Sequence, residues 1–386
     1  MQGGALPISN GMKILLTGGG TGGHFYPLIA VAEEINRIAR EKNLLKPELY
    51  FLSDREYDPK ALFNNDITFK KVPAGKLRRY FSIQNFFDIF KTIAGTVKAI
   101  FTVFWMYPDV IFSKGGYGSF PAVVAARILR IPLFIHESDS VPGRANKQAG
   151  KFARKIAVSY PEAAPFFPID KVAWTGNPVR KGIQTPLNEG AHQLLQFDRT
   201  IPTILVLGGS LGAEFINNAI LDSLKDLVSN YQVIHQAGRN NIAVVSGVSQ
   251  EILKGNQNAN RYKVFDYLDD DSLRAAAGAA DLILSRAGSA IFEIALWGKP
   301  SIIIPITDTN GDHQRKNAVA YEKAGACLVI EEANLKPHIL LSEIGRILGD
   351  KALVAQMSEN ARTFAKPDAA EKIARAILSI ALKHEV

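Results

Sequence analysis

Along most of the chain, short and nearly uninterrupted apolar runs alternate with longer segments whose apolar positions recur at helical spacing. Lys13-Ile-Leu-Leu-Thr17 ends in Gly18-Gly-Gly-Thr-Gly-Gly23, and beyond it Leu28, Val31, Ala32, Ile35, Ile38 and Ala39 fall on one helix face. Proline lacks a backbone donor and suits a first helical turn, so the helix is predicted to open at Pro27. Leu49–Leu52 reads as a second strand, ending at Ser53-Asp54. Asp109–Phe112 runs into Lys114-Gly-Gly-Tyr-Gly118, a helix is predicted over Pro121–Leu129, and Pro132–Ile135 is a strand ending at His136-Glu137. Strands that are apolar throughout, separated by helices, predict a parallel sheet covered on both faces.

The pattern restarts after Asn177-Pro178 and a polar stretch over 184–199. Thr203–Leu207 leads into Gly208-Gly-Ser-Leu-Gly212, then a helix is expected over Ala213–Val228. Gln232–His235, Lys263–Phe265, Leu282–Leu284 and Ser301–Ile304 read as further strands. Two strand–glycine–helix openings imply an α/β protein of two Rossmann-like domains, expected to face each other across a cleft. The expected boundaries are a disordered leader at 1–12, a first domain over 13–175, a second over 176–366, and a terminal helix over 367–386. Ala369, Ile373, Ala376, Ile377 and Ile380 give that last helix one apolar face, suited to packing back on the first domain.

Length and charge narrow the function classes. The 386 residues are too many for one ordinary core, and 47% apolar with 21% charged residues excludes a disordered or fibrous chain. The formal charge of +8 favours anionic partners such as nucleotides or phospholipid headgroups. A single cysteine, Cys327, excludes an intrachain disulfide framework; it lies in an apolar run and reads as a core residue. The seven histidines form no metal-ligand spacing, and no metal is expected.

The glycine loops carry the candidate chemistry. A glycine turn at the carboxyl end of a parallel strand lets backbone N–H groups approach a phosphate, beside the positive end of a helix. Gly18, Gly20 and Gly23 match a dinucleotide fingerprint, and Asp54 ends the second strand where a ribose-binding acid would sit, so an NAD-dependent oxidoreductase is a rival reading. That reading leaves the second domain's loop unexplained, and no Gly-Lys-Ser/Thr follows either loop, which excludes a P-loop nucleotidase. His24 follows the last glycine directly. It is either a base for an incoming hydroxyl or a helix-start histidine bonded to backbone. Ser285-Arg-Ala-Gly-Ser289 forms a third loop, and Glu293 beyond it either balances a helix dipole or holds two ribose hydroxyls. Gly311-Asp-His-Gln314 and Asn317 form a polar cluster on the same ligand edge. Asp269-Asp-Asp271 is expected to cap the following helix rather than bind metal.

Lys76-Leu-Arg-Arg-Tyr-Phe81 precedes an apolar helix carrying Phe86, Phe87, Phe90, Ile93, Val97, Ile100, Phe101 and Phe104. Asp88, Lys91 and Lys98 interrupt it, so it does not read as an uninterrupted membrane span. One reading buries it in the first domain. The other dips its aromatics into a headgroup layer, with Arg78, Arg79, Phe81, Phe86, Phe87 and Phe90 as the membrane contacts. Different faces can serve both.

Taken in order, Gly19-Gly-Thr-Gly-Gly-His24 with Pro27, Gly115-Gly-Tyr117, His136-Glu137 with Val141-Pro-Gly143, Gly176-Asn-Pro-Val-Arg180, Gly208-Gly-Ser210, Ser285-Arg-Ala-Gly288 and Asp312-His-Gln314 form a specific set. Through them the chain resembles the MurG-type bacterial N-acetylglucosaminyltransferases that complete the lipid-linked peptidoglycan precursor. The resemblance spans nearly everything from Lys13 onward. It implies the two-domain GT-B architecture and no cofactor. It also implies UDP-N-acetylglucosamine as donor and a polyprenyl-pyrophosphate-linked N-acetylmuramyl-pentapeptide as acceptor. A peripheral place on the cytoplasmic face of the cell membrane and a role in cell-wall biogenesis are implied too, with no nucleic-acid partner; a transferase acting on another lipid is the nearer alternative. It places Thr21, Gly22 and Gly23 on the diphosphate side, with Arg180 and Ser210 on the donor and Leu268 against the uracil. It further places Ser289 and Ala290 at the phosphates, Glu293 at the ribose and Gln314 at the sugar hydroxyls, with His24 as candidate base. Three departures stand out. Glu137-Ser-Asp139 replaces the usual Glu-Gln-Asn, so Asp139 faces the sugar as a carboxylate and shares candidacy as base. The spacing from Arg286 to Glu293 is one residue short of the common pattern, and Gly118-Ser-Phe120 replaces Val-Ser-Gly.

Overall fold

The structure is a computed structural model that describes residues 11–19, 21–75, 83–209, 212–307 and 312–382. Of the expected leader, 1–10 lies outside the described residues. The chain divides into two compact units: Met1–Arg180 with Asp368–Val386, and Lys181–Pro367.

The first unit is built on seven parallel strands: β1 (Lys13–Thr17), β2 (Glu48–Ser53), β3 (Ile67–Lys71), β4 (Val110–Ser113), β5 (Leu133–Glu137), β6 (Lys155–Val158) and β7 (Val172–Trp174). They lie in the order β3-β2-β1-β4-β5-β6-β7. Leu15 of β1 sits opposite Tyr50 on one side and Ile111 on the other. The apolar runs follow from burial on both faces. Ile14, Leu16, Phe112 and Phe134 pack under the Gly22–Glu41 helix and the terminal Ala369–Leu382 helix. Leu15, Ile111 and Ile135 point the other way, toward Ala99 and Val103 of the Ile83–Met106 helix and Ala122 to Ala126 of the Phe120–Leu129 helix. Arg37 of the first helix and Glu371 of the terminal one add a 3.5 Å ion pair at the rim of that seam.

The second unit repeats the design with β8 (Thr203–Leu207), β9 (Gln232–Gln236), β10 (Tyr262–Phe265), β11 (Leu282–Ser285), β12 (Ser301–Ile303) and β13 (Cys327–Val329), all parallel, in the order β10-β9-β8-β11-β12-β13. In each sheet the chain reverses its direction of winding beside the first strand, between β1 and β4 and between β8 and β11. Such a switch point leaves a crevice at the carboxyl ends of the strands, where doubly wound proteins hold ligands.

Several expectations are corrected. The first helix opens at Gly22, and Pro27 lies inside it, because the N–H groups of His24 and Phe25 already turn back to the Thr21 carbonyl at 3.1 and 3.2 Å. The helix expected over Ala213–Val228 is two, Glu214–Asp222 and Leu224–Asn230; the break falls at Ser223, whose hydroxyl donates to the Ala219 carbonyl. Strands β3, β6 and β7 carry charged or exposed positions, such as Lys70 and Lys71, and so escaped a search for apolar runs. The first unit continues past residue 175 to Arg180, since Lys114 Nζ donates to Asn177 Oδ1 at 3.1 Å and ties that stretch to the end of β4.

Candidate active site

At the β1/β4 switch point the backbone is crowded enough to require glycine. A Cβ on Gly18 would lie 3.0 Å from the His24 carbonyl and 3.2 Å from Lys114 Cβ. Gly116 has φ +80°, and a Cβ there would strike the Gly19 carbonyl at 2.5 Å and approach the His24 ring at 3.4 Å. These contacts bring the two glycine loops of the first unit together, with His24 in the first turn of its helix. The imidazole Nδ1 is 3.0 Å from Thr21 Oγ1. The sequence left His24 as either a base or a side chain bonded to backbone; the structure gives its ring a hydroxyl partner. A proton on Nδ1 donated to Thr21 leaves Nε2 as the basic nitrogen.

Beneath this turn lies a buried group of charges. Lys114, which follows β4, is 1% exposed, and Glu137 at the end of β5 is 3% exposed. The Glu137 carboxylate accepts from Asp139 N at 3.0 Å, Gly143 N at 3.1 Å and Asn146 Nδ2 at 2.9 Å. Asn146 also donates to the His136 carbonyl at 3.0 Å, and His136 Nε2 meets the Gly176 carbonyl at 3.0 Å. Together these bonds fix the loop that presents Asp139. Burial lowers His24 to about 4; Lys114 pushes the same way and Asp139 opposes. Burial likewise brings Lys114 down to about 7 against the pull of Glu137 and Asp139. It lifts Glu137 to about 7, helped by the like charge of Asp139 and opposed by the N–H donors and by Lys114. His136 is held neutral by burial and by Lys114.

Of the residues named from the sequence, Thr21, Gly22, Gly23 and His24 gather here, and the charge of Asp139 is felt at the His24 imidazole. The Arg180 guanidinium stacks over Tyr26 of the same helix, 4.1 Å from the ring centre. Asp54 accepts from the Tyr117 hydroxyl at 3.2 Å. Lys114, Asn146 and Asn177 were not singled out; the available signal was a lysine shortly after the apolar run Val110-Ile-Phe112.

In the second unit the named residues share the carboxyl edge of the sheet. Leu268, buried, follows β10, and its N–H donates to Gln236 Oε1 at 3.2 Å. Ser289 precedes the Ala290–Trp297 helix, which has Glu293 in its first turn. Arg286 anchors that loop through a 2.6 Å ion pair with half-buried Glu332, and Asn317 Nδ2 donates to the Ala287 carbonyl at 3.1 Å. Gln314 opens the next helix after β12 and accepts from Ile306 N at 3.1 Å. Asp269 caps the Asp270–Ala279 helix by accepting from Ser272 N at 3.0 Å. Among the described residues no group of three or more His, Cys, Asp or Glu is placed to hold a metal. Ser210 lies outside the described residues.

Arg78, Arg79 and Phe81 lie outside the described residues as well, as does the side chain of Phe87. The helix beyond them exposes Phe86, Phe90, Ile93, Val97, Phe101 and Phe104 along one stripe, while Ala99 and Val103 are buried on the other side. Lys91 and Lys98 do interrupt the helix, yet by length and composition alone Asp88–Met106 would suffice to cross a membrane, and 17% of that stretch is buried.

The comparisons agree with this geometry. The glycosyltransferase family 28 N-terminal domain matches residues 14–158 and the glycosyltransferase family 28 C-terminal domain residues 203–373. A protein of Clostridium novyi (strain NT), named UDP-N-acetylglucosamine--N-acetylmuramyl-(pentapeptide) pyrophosphoryl-undecaprenol N-acetylglucosamine transferase, is 35% identical over 343 residues, 88% of this chain and 91% of that protein. Its namesake in Treponema denticola is 35% identical over 364 residues, 90% of each chain. Among solved structures, Acinetobacter baumannii MurG superposes with a TM-score of 0.69 at 24% identity, covering 95% of this chain and 99% of that one. The UDP-GlcNAc 2-epimerase of Neisseria meningitidis gives 0.68 at 17% identity, covering 95% and 100%. At those identities the structures speak for the fold.

Proposed function

The chain belongs to glycosyltransferase family 28, and from that premise we infer that it transfers N-acetylglucosamine from UDP-N-acetylglucosamine to lipid-linked N-acetylmuramyl-pentapeptide pyrophosphate. The observation that carries this is the near full-length identity to relatives bearing that activity in their names. The product is the completed lipid-linked precursor of peptidoglycan, and the enzyme works peripherally at a membrane, on its cytoplasmic face.

The reaction is read as one displacement with inversion. The acceptor's 4-hydroxyl oxygen forms the new bond to the anomeric carbon, the bond from that carbon to the diphosphate breaks, and UDP leaves with the electron pair. His24 takes the hydroxyl proton on Nε2, the nitrogen that faces away from Thr21, with Asp139 as the other candidate. Backbone N–H groups at Thr21, Gly22 and Gly23, together with Arg180 and Ser210, answer the charge that grows on the leaving diphosphate. Leu268 packs on the uracil, Ser289 and Ala290 approach the phosphates, Glu293 holds the ribose and Gln314 the sugar hydroxyls.

Incubation with UDP-N-acetylglucosamine and defined acceptors, followed by mass spectrometry of the products, tests the reading. Transfer to the lipid-linked muramyl peptide is expected. Transfer to diacylglycerol instead, or no transfer at all, refutes it.

A further inference from the structure

We propose that Glu332 is a positioning residue for the sugar-nucleotide donor: its carboxylate ties together the loops that follow β11 and β12, and so fixes the phosphate loop over 285–289 and the Gln314 amide relative to each other. The proposal rests on the transfer reaction inferred above and deepens it.

Glu332 opens the short turn Glu332–Asn334 that follows β13. Taken whole the residue is half-buried, but its side chain is turned inward and is 7% exposed, against 12% for that of Arg286. Its Oε1 meets Arg286 Nη1 at 2.6 Å. Its Oε2 accepts from the backbone N–H and the hydroxyl of Thr307, at 3.1 and 2.9 Å. The same Arg286 nitrogen donates to the Ile304 carbonyl at 3.1 Å, so the guanidinium also reaches across to the end of β12. Ile306 N donates to Gln314 Oε1 at 3.1 Å. That bond commits the amide oxygen to the segment Glu332 holds, so that Nε2 is the group with which Gln314 would meet a sugar hydroxyl. Loops at the carboxyl edge of a sheet lack ladder bonds of their own, and a carboxylate shared among three donors supplies strong, directional ones in their place. A neutral tie, from Asn317 Nδ2 to the Ala287 carbonyl, remains when Glu332 is removed, so its loss is expected to loosen the loops without unfolding them.

Three variants separate the two arms of this tie. E332Q keeps the shape and an oxygen for Thr307 but removes the charge that holds Arg286. T307V leaves Arg286 paired and deletes the hydroxyl bond to the segment before Gln314. E332A removes both arms. Calorimetry gives Kd for UDP and for UDP-N-acetylglucosamine, and transfer assays give kcat and KM for each substrate. E332Q is expected to weaken both nucleotides alike, by about threefold or more, because both carry the diphosphate. T307V should weaken UDP-N-acetylglucosamine about threefold and leave UDP within about twofold, because only the sugar contact is loosened. E332A should weaken both, by about tenfold for the sugar nucleotide. In all three, kcat at saturating donor and KM for the acceptor should stay within about threefold, the pattern of lost donor binding. Wild-type affinities in folded E332Q and E332A overturn the proposal, and if E332A does not fold, E332Q and T307V decide it. A fall in kcat with Kd unchanged overturns it too, since that marks a merely structural role. So does an equal loss for UDP and the sugar nucleotide in T307V, which would detach Gln314 from the network. Wild-type protein that binds the sugar nucleotide and transfers no sugar refutes the transfer reading instead, and calorimetry still decides the role of Glu332. Wild-type protein that binds neither nucleotide overturns both.

Discussion

At the scale of the residue, His24 and Asp139 compete for one proton, and substitution separates them. His24→Ala is expected to lower kcat by about 10²–10⁴-fold if the imidazole is the base, with UDP-N-acetylglucosamine affinity by calorimetry nearly unchanged. Asp139→Asn, which restores the amide usual in the family, should then leave most of the rate; the reverse pattern assigns the proton to Asp139. Two core histidines also set a pH dependence of stability. His235 is lowered to about 3, chiefly by burial, and His136 falls well below its ordinary value, again chiefly by burial. The unfolded chain therefore binds more protons than the native one once the pH drops below about 6.5. Their stability contribution is complete above that value and is lost progressively as pH falls toward the folded values. Urea unfolding at pH 7.5 and 5 should show it. His235→Gln should flatten the slope, because His235 sits wholly buried between the Tyr262 hydroxyl at 2.8 Å and Asn217 Oδ1 at 3.0 Å.

At the scale of the element, the Ile83–Met106 helix has two faces with different tasks. Gly75 N donates to Thr92 Oγ1 at 3.0 Å, and a side chain at Gly95 would run into the Pro73 carbonyl, so that face lies tight against the segment before it. The Phe86, Phe90, Ile93, Val97, Phe101 and Phe104 stripe is left to solvent, each of these residues 49–62% exposed. A contiguous apolar stripe of that kind is costly in water and suits a membrane surface. Phe90→Ser with Phe101→Ser is expected to lower co-sedimentation with anionic phospholipid vesicles about tenfold or more, while leaving the melting temperature near wild type. Equal sedimentation of the variant would remove this helix from the membrane contact. The sequence showed that the helix was apolar. It could not show which positions were exposed, because a period of 3.6 marks a face without saying what covers it.

At the scale of the whole molecule, two Rossmann-like sheets repeat one winding order, and each has its own switch point. A nucleotide that binds only the native protein raises its stability by RT ln(1 + [L]/Kd), about 2.7 kcal/mol at a hundred times Kd. UDP and UDP-N-acetylglucosamine are therefore expected to raise the melting temperature by several degrees, and NAD to leave it unchanged; a shift with NAD alone would revive the oxidoreductase reading. The strand–glycine–helix grammar, the count of two sheets and the identities of the loop residues were set by the sequence alone. Apolar strands and glycine turns report local requirements, namely burial on both faces and close backbone approach. Only the tertiary structure decided that a lysine after β4, a glutamate ending β5 and asparagines 146 and 177 meet under His24. Their sequence separations carry no periodic signal. The cost of burying a charge depends on which opposite charges and N–H donors the fold brings beside it.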